Sequence, residues 1–385
     1  SRKEFNKAFN LSAQSKVEIE TKWDLVKLGD VCHVLIGGTP SRAVHKYFNG
    51  ENLWVSISEM QGNTIFDTKE KITDEAIQNS NVKLIPKGTT LLSFKLSIGK
   101  TAIAGKDLYT NEAIAGLVPK NENVIDTFLF HLFSAQLLNL DTGNNAIGKS
   151  LNSKFLREEL KIPLPPLEVQ KKIVQECEAI DNQREQAQSL IAQLENNISS
   201  IIQNVSGDRI KIGSLYSYSK MRIQADLLNA DTYVGVDNLL PNTKGKKPSE
   251  FVPNSGTVTQ YGIGDVLLSN IRPYLKKIWL ADIVGGASND VLVLKRQSEN
   301  IREKYFFYNL KQDQFFEYSM LGKKGVKMPR GDKNQILDYR IPLPPLAEQE
   351  KIVQQIEALE AQIAQAQKVI DDAPQQKQAI LQKYL

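Results

Sequence analysis

The sequence predicts an α+β protein. Two globular α/β lobes are joined by two long helices, which pair as an antiparallel coiled coil in a pseudo-two-fold internal repeat. Three observations predict this. Ile162-Pro163-Leu164-Pro165-Pro166-Leu167 returns as Ile341-Pro342-Leu343-Pro344-Pro345-Leu346, and Gln170, Lys172, Ile173, Val174, Gln175, Glu178 and Ala179 each recur 179 positions later. A repeat of that length is a duplicated domain, far longer than a solenoid unit. A helical stripe follows each copy, and a similar run of strands and an aromatic helix precedes each.

In chain order, residues 1–22 are polar and read as a linker. Leu25, Leu28 and Val31 are spaced for a short helix or turn feeding a strand. Ile36-Gly37-Gly38-Thr39-Pro40-Ser41-Arg42 is a loop, because its glycines and Pro40 forbid regular structure. Leu53 to Ser58 alternates like a half-buried strand. Residues 85–93 read as a turn and a buried strand, and Lys100–Ala104 and Ala113–Val118 add two more. Val124 to Leu140 carries Phe128, Leu129, Leu132, Phe133 and Leu137 at helical spacing. The second half repeats this order: a strand at 233–236, a long Pro/Gly/Lys/Asn loop at 241–256, a turn and strand from Gly262 to Ser269, a strand at 291–294, and an aromatic helix from Ile301 to Tyr318.

Each proline run stops what precedes it, since proline fixes φ and bars helix at the residue before it. The first helix then carries Ile173, Cys177, Ile180, Arg184, Ala187, Ile191, Leu194, Ile198, Ile201 and Val205 in steps of four and three. The second shows Ile352, Ile356, Leu359, Ile363, Ala366 and Ile370 in the same phase, then Pro374 and a short tail through Ile380, Leu381 and Tyr384. A narrow a/d stripe with polar residues elsewhere suits one thin seam, in contrast to an ordinary core helix. With matching phase in one chain, each helix is the economical partner of the other.

The chain has 385 residues, 41% hydrophobic, which is enough for two domains. No apolar run approaches the ~18 residues of a membrane span, and Ser1-Arg2-Lys3-Glu4 leads into no apolar signal core. With only Cys32 and Cys177, in unrelated contexts, the expectation is a reduced cytoplasmic protein without disulfides. Three histidines and two cysteines give no zinc spacing. Net charge is +4, unevenly spread: residues 216–345 hold 19 Lys/Arg against 13 Asp/Glu, residues 23–166 hold 15 of each, and both helices are acidic. A basic lobe away from an acidic scaffold suits contact with phosphate, although solvated surface charge fits too.

One enzyme motif matches literally. Residues 143–150, Gly-Asn-Asn-Ala-Ile-Gly-Lys-Ser, fit the phosphate-loop pattern, but such a loop must follow a buried strand and open a helix. Here a helical pattern precedes it, and Gly322-Lys323-Lys324-Gly325 in the second half lacks the motif. Neither a nucleophile elbow nor a zinc-protease helix motif occurs, and Pro165-Pro166 and Pro344-Pro345 lack the Asn or Asp of an amino-methyltransferase motif. The expectation is a chain with no catalytic residues, no cofactor and no metal of its own. Recognition is better supported. Asn270, Arg272, Tyr274, Lys276 and Lys277 flank a turn, combining phosphate-seeking charge with an aromatic surface. Lys323, Lys324, Lys327 and Arg330 crowd a second loop. In the first lobe Thr39, Ser41, Arg42 and Lys46 follow glycines, and Lys95 follows a strand end. Arg and Lys can bond guanine in the major groove, and Asn can bond adenine.

The doubled Ile-Pro-Leu-Pro-Pro-Leu lead-in to a long helix resembles the specificity subunit of type I restriction–modification enzymes. So do Trp23-x-x-Val-x-Leu28-Gly29-Asp30, Gly38-Thr39-Pro40-Ser41, and Gly264-Asp265-Val266-Leu267 with Arg272-Pro273-Tyr274-Leu275. The resemblance covers residues 23–385. It implies a first target-recognition domain at 23–166, a central conserved helix at 167–206, a second recognition domain at 207–345 and a C-terminal conserved helix at 346–385. Each lobe then reads half of a bipartite site in double-stranded DNA. Ile173, Ile180, Ile191, Leu194 and Ile198 would form the pairing seam with Ile352, Ile356, Leu359, Ile363 and Ile370. In the family, the helices space the lobes and bind two methyltransferase subunits that carry S-adenosylmethionine. A restriction (motor) subunit uses ATP and Mg, and the whole serves phage defence. Residues 1–22 have no family counterpart, which leaves open a methyltransferase–specificity fusion. Two other readings remain at this stage: a coiled-coil scaffold whose lobes bind protein, and an ATP-binding enzyme acting through residues 143–150.

Overall fold

Both copies of the proline motif fold the same way. In the computed structural model, which describes residues 21–95, 97–135, 152–321 and 329–385, each Ile-Pro step ends a three-residue strand before the Pro-Pro pair leads into a helix. The chain divides into two compact units, Ser1–Ala187 with Lys368–Leu385, and Gln188–Gln367.

In the first unit β1 (Leu25–Lys27) leads through a single helical turn, α1 (Leu28–Val31), into β2 (Cys32–Ile36). Then come β3 (Asn52–Val55), β4 (Thr64–Ile65), β5 (Glu70–Ile72), α2 (Asp74–Gln78), β6 (Thr90–Ser93), β7 (Thr101–Ala104), β8 (Tyr109–Thr110), β9 (Ile114–Pro119), α3 (Asp126–Ser134) and β10 (Lys161–Pro163). They form a five-stranded sheet in the order β2-β9-β6-β7-β4, a three-stranded sheet β5-β3-β8, and the pair β1-β10. All four residues of β6 are buried, as a strand covered on both faces requires. Gly88 enters that strand at φ 88°, a left-handed turn that glycine adopts freely. Phe128, Leu129, Leu132 and Phe133 of α3 close the core over the sheet with Leu92, Ala115 and Leu117.

The long helix α4 spans Leu167–Gln203. The second unit continues with β11 (Arg209–Lys211), β12 (Tyr216–Tyr218), β13 (Arg222–Gln224), β14 (Tyr233–Val234), β15 (Thr257–Tyr261), β16 (Val266–Ser269), β17 (Ile278–Leu280), β18 (Gly285–Ala287), β19 (Val291–Arg296), α5 (Glu303–Leu310), α6 (Asp313–Leu321), α7 (Lys333–Asp338), β20 (Arg340–Pro342) and α8 (Leu346–Tyr384). Its sheets run β12-β19-β16-β17 and β13-β15-β18-β14, with β11 paired to β20. The parallels with the first unit are close. β16 is fully buried like β6 and follows Gly264 at φ 85°. The ladder Arg209↔Pro342 repeats Leu25↔Pro163, and the parallel pair β14-β18 repeats β3-β8.

Within each unit the long helices run antiparallel. In the first, Ile173 and Cys177 share a core with Leu381 and Leu385, and Glu176 takes bonds from the Tyr384 hydroxyl and from Lys383 at 3.2 Å. In the second, Ile202 shares a core with Ile352, Val353 and Ile356, and Ile198, Ile201 and Val205 pack against it. The stripe is the one the heptad predicts. Ile173, Leu194, Ile352 and Ile356 are buried; Ile180, Ile191, Ile198, Leu359, Ile363 and Ile370 are half-buried; the flanking residues are largely exposed.

Arg184, the break in the apolar stripe, belongs to a polar layer. Lys377, at a seam position of α8, pairs with Asp181, and the Arg184 guanidinium lies 3.7 Å from the same carboxylate. The buried His131 faces this layer. Its pKa is pushed down to about 4 by burial and by the nearby Lys377 ammonium, with Asp181 opposing.

One helix differs from the sequence expectation. The aromatic helix predicted for Ile301–Tyr318 is two helices, α5 and α6. The Gln312 side-chain amide donates back to the Tyr308 carbonyl at 3.0 Å, the acceptor a continuous helix reserves for the Gln312 backbone N–H. Phe315 and Phe316 turn instead into the core. The long helix expected over 346–385 runs unbroken through Pro374 to Tyr384. Pro374 is exposed and forfeits one backbone bond, while Ala373 and Leu381 beside it are buried, so seam packing outweighs the break. In the first lobe, α3 accounts for part of the helix predicted over 124–140; residues 136–140 lie outside the described residues.

Candidate nucleic-acid interface

The loop after β2 turns at Gly37 and Gly38, where the neighbouring backbone comes so close that a Cβ on Gly37 would sit 2.3 Å from the Thr110 carbonyl oxygen. This loop carries Thr39, Ser41, Arg42 and Lys46. Thr39 donates its hydroxyl hydrogen to Glu112. Arg42 forks onto both oxygens of Glu70, the second at 2.9 Å, and lies 4.2 Å from the Phe48 ring centroid. Lys46 pairs with Glu75 at 2.7 Å. The Thr39 hydroxyl holds the Glu112 carboxyl below its usual range, with Lys95 and Arg42 adding to the same effect. The structure thus brings Thr39, Arg42 and Lys95 together around Glu112, while Ser41 is exposed beside them. Each of these loop cations already has a carboxylate.

The second lobe is built differently. After β16 the chain passes through Asn270, Ile271 and Arg272 into a 3-10 turn at Pro273–Leu275. Arg272 and Lys276 flank that turn with φ of 51° each, the left-handed region that L side chains rarely adopt. Asn242 (φ 56°) and Thr243 (φ 57°), in the loop after β14, share this conformation. The two loops are bonded to each other: the Asn242 N–H donates to the Leu275 carbonyl at 2.9 Å and the Thr243 N–H to the Lys276 carbonyl at 2.8 Å.

The cations here divide into held and free. Lys276 pairs with Asp313 at 2.6 Å and Lys277 donates to the Val236 carbonyl at 2.8 Å. Lys246 donates to the Asp231 carbonyl and Lys247 to Glu250. The Lys277 ammonium is shifted down chiefly by burial, with Asp237 opposing and Arg272 and Lys247 adding to the downward shift. Arg272 and Lys244 are exposed and their side chains have no hydrogen bond or ion pair among the described residues, and Tyr274 is 51% exposed. Asn270 is nearly buried, and its Oδ1 has no hydrogen-bond partner. Arg330, whose backbone bridges Ile271, pairs with Asp290 at 3.0 Å. Lys323, Lys324 and Lys327 lie outside the described residues, as do residues 143–150 with their phosphate-loop match. Sequence reasoning passed over Asn242, Thr243 and Lys244. Their signal was the dense Asn-Thr-Lys-Gly-Lys-Lys run, which reads as a plain loop until its neighbour is known.

Little else among the described residues offers chemistry. Cys32 and Cys177 are buried, and burial pushes both thiols up to about 12, where they are poor nucleophiles. Among the described residues no group of three or more His, Cys, Asp or Glu is placed to hold a metal, and no helix is long and apolar enough to cross a membrane.

The family model described as "Type I restriction modification DNA specificity domain" matches residues 20–196 and again 233–372. The MjaIX specificity subunit of Methanocaldococcus jannaschii is 30% identical over 162 residues, 40% of this chain and 37% of that protein. The MjaVIII specificity subunit of the same organism is 21% identical over 399 residues, 93% of this chain and 90% of that one. Among solved structures, the S subunit of a type I restriction–modification system from M. genitalium superposes with a TM-score of 0.52 at 13% identity, covering 96% of this chain and 98% of that chain. A chain from a structure of type I R-M complex assembly reaches 0.59 at 19% identity, over 94% and 97%. These structural likenesses extend the shared fold across nearly the whole chain.

Proposed function

Because the chain belongs to the type I restriction modification DNA specificity family, we propose that it is the non-catalytic subunit that chooses the DNA sequence. Each lobe reads one half of a bipartite site in duplex DNA, and α4 and α8 set the spacing and dock two methyltransferase subunits. S-adenosylmethionine is then held by those subunits, and ATP and Mg by a restriction (motor) subunit.

One observation carries this reading. The frame is duplicated almost residue for residue, while the loops at corresponding strand ends differ in charge and conformation. After β6 the first lobe has Phe94-Lys95, and after β16 the second has Asn270-Ile271-Arg272. A shared frame with two different surfaces is what independent reading of two half-sites requires, since phosphate contacts position a protein and side chains at base edges specify the sequence.

The test is a lobe exchange. Residues 23–150 are replaced by the first lobe of another family member, and the chimaera is expressed with the methyltransferase subunits. Sequencing of modified bases across the genome should show one half of the methylated site changed and the other retained. Change in both halves, or in neither, overturns the reading. Binding to duplex DNA should also weaken steeply with salt, as phosphate contacts do.

A further inference from the structure

Among the described residues, four non-glycine residues have left-handed backbone: Asn242, Thr243, Arg272 and Lys276. All four fall in two loops of one lobe, and the loops are joined by hydrogen bonds from two of the strained residues. Such conformations persist only where neighbours hold them, and they gather where function needs a fixed shape. Thr243 is the least expected, because a β-branched side chain crowds its own carbonyl there. The bonds from Asn242 and Thr243 to the Leu275 and Lys276 carbonyls fix both loops as one platform.

That platform presents unspent recognition groups. The side chains of Asn242, Lys244 and Arg272 are on exposed residues and make no hydrogen bond or ion pair among the described residues, and Tyr274 leaves half its surface in water. The neighbouring lysines 246, 247, 276 and 277 are all engaged within the protein. The free set matches a DNA groove: a guanidinium for guanine, a carboxamide for adenine, an aromatic ring for a base edge, and an ammonium for phosphate.

We propose that Asn242, Arg272 and Tyr274 form the base-reading edge of the second lobe, with Lys244 on an adjacent phosphate. The Asn242–Lys244 loop is thereby a specificity determinant, held in shape by the loop it reads beside. This rests on the DNA-specificity reading above and adds which residues carry it out.

The experiment uses the full chain in complex with its methyltransferase subunits, reading methylated sites by genome-wide sequencing of modified bases. Asn242→Gly and Arg272→Gly remove the side chains at positions whose φ suits glycine, so melting temperature should stay level or rise. Each should relax one base position in one half-site, with discrimination there falling roughly 5- to 150-fold, while the other half-site is kept. Tyr274→Ala should weaken the same half. Lys244→Gln should lower affinity evenly across sequences and reduce the salt slope by about 1. Should the Asn242→Gly protein melt early, Asn242→Asp decides: it tolerates the same backbone, and it should change the base preferred. Variants that all methylate the wild-type site with wild-type fidelity overturn this proposal alone. A wild-type complex that methylates with no sequence preference overturns the specificity reading, and this proposal with it.

Discussion

Gln170 and Gln349, 179 positions apart, make the same three hydrogen bonds in their respective units. Each side chain is fully buried. The Gln170 amide donates to the Asn123 and Pro165 carbonyls, both at 2.8 Å, and its oxygen accepts from the Ile125 N–H at 3.0 Å. Gln349 donates to the Asn300 and Pro344 carbonyls, both at 2.9 Å, and accepts from the Arg302 N–H at 2.9 Å. In both copies one glutamine in the first turn of the long helix ties the proline segment to the start of the lobe's aromatic helix. These bonds explain why the repeat keeps a glutamine at the fourth residue of each helix.

Gln170→Leu therefore strands two carbonyls and an N–H in the interior. The expected loss is about 2–4 kcal/mol, since each unsatisfied buried group costs roughly 1–3. Urea unfolding measures it, and Gln349→Leu should match it closely. A loss below about 0.5 kcal/mol in either would mean the bonds stabilise nothing.

The Asp181–Lys377 pair sits in the helix seam with side chains only 22% and 13% exposed. Lys377→Met leaves the carboxylate with only Arg184, 3.7 Å away, and should destabilise by about 2–3 kcal/mol, below the roughly 3–5 of a fully buried pair. Asp181→Leu combined with Lys377→Met should recover most of that loss. A double mutant as unstable as the single would show that packing, not charge, was lost.

His131 predicts a pH dependence. Its pKa falls from 6.5 in the unfolded chain to about 4 in the fold, so the folded state binds the proton less well. Stability from this group is full above about pH 6.5 and is lost as pH drops towards 4, by up to about 3 kcal/mol. Asp126, pushed up to about 6 by burial, acts in the opposite sense over a similar range. The difference between His131→Leu and wild type removes that contribution. The variant's relative stability should rise steadily between pH 7 and pH 4; a flat difference would mean His131 is accessible to protons in the fold.

The helices offer a test of length. Four residues inserted after Leu194 add about 6 Å of helix at ~1.5 Å per residue, and the seam absorbs them as a stutter. At ~3.4 Å per base pair, the gap between half-sites should grow by one or two, with the half-site bases unchanged. Modified-base sequencing of the insertion variant reads both. An active variant with the same gap defeats the idea that the helices act as a ruler.

Much of the frame was legible because its signals are local and periodic. The heptad needs only side-chain spacing, and Ile173, Leu194, Ile352 and Ile356 are buried where that spacing puts them. The break at Gln312 was not legible, because it goes with Phe315 and Phe316 turning into the core, contacts that local spacing does not show. The run through Pro374 goes against a local rule, which gives way to packing around Ala373 and Leu381. In the first lobe, Arg42 and Lys46 read as free cations, yet Glu70 and Glu75, nearly thirty residues further on, fold back onto them.

By itself the sequence determined the duplication, the helix seam and the order of strands, since repeat offset, heptad phase and alternation are properties of neighbours along one chain. Only the tertiary structure decided which polar groups are spent and which are free. Loops distant in sequence meet across strand ends, so partners such as Asn242 and Leu275, or Asp181 and Lys377, are set by the fold and carry no signature in local spacing.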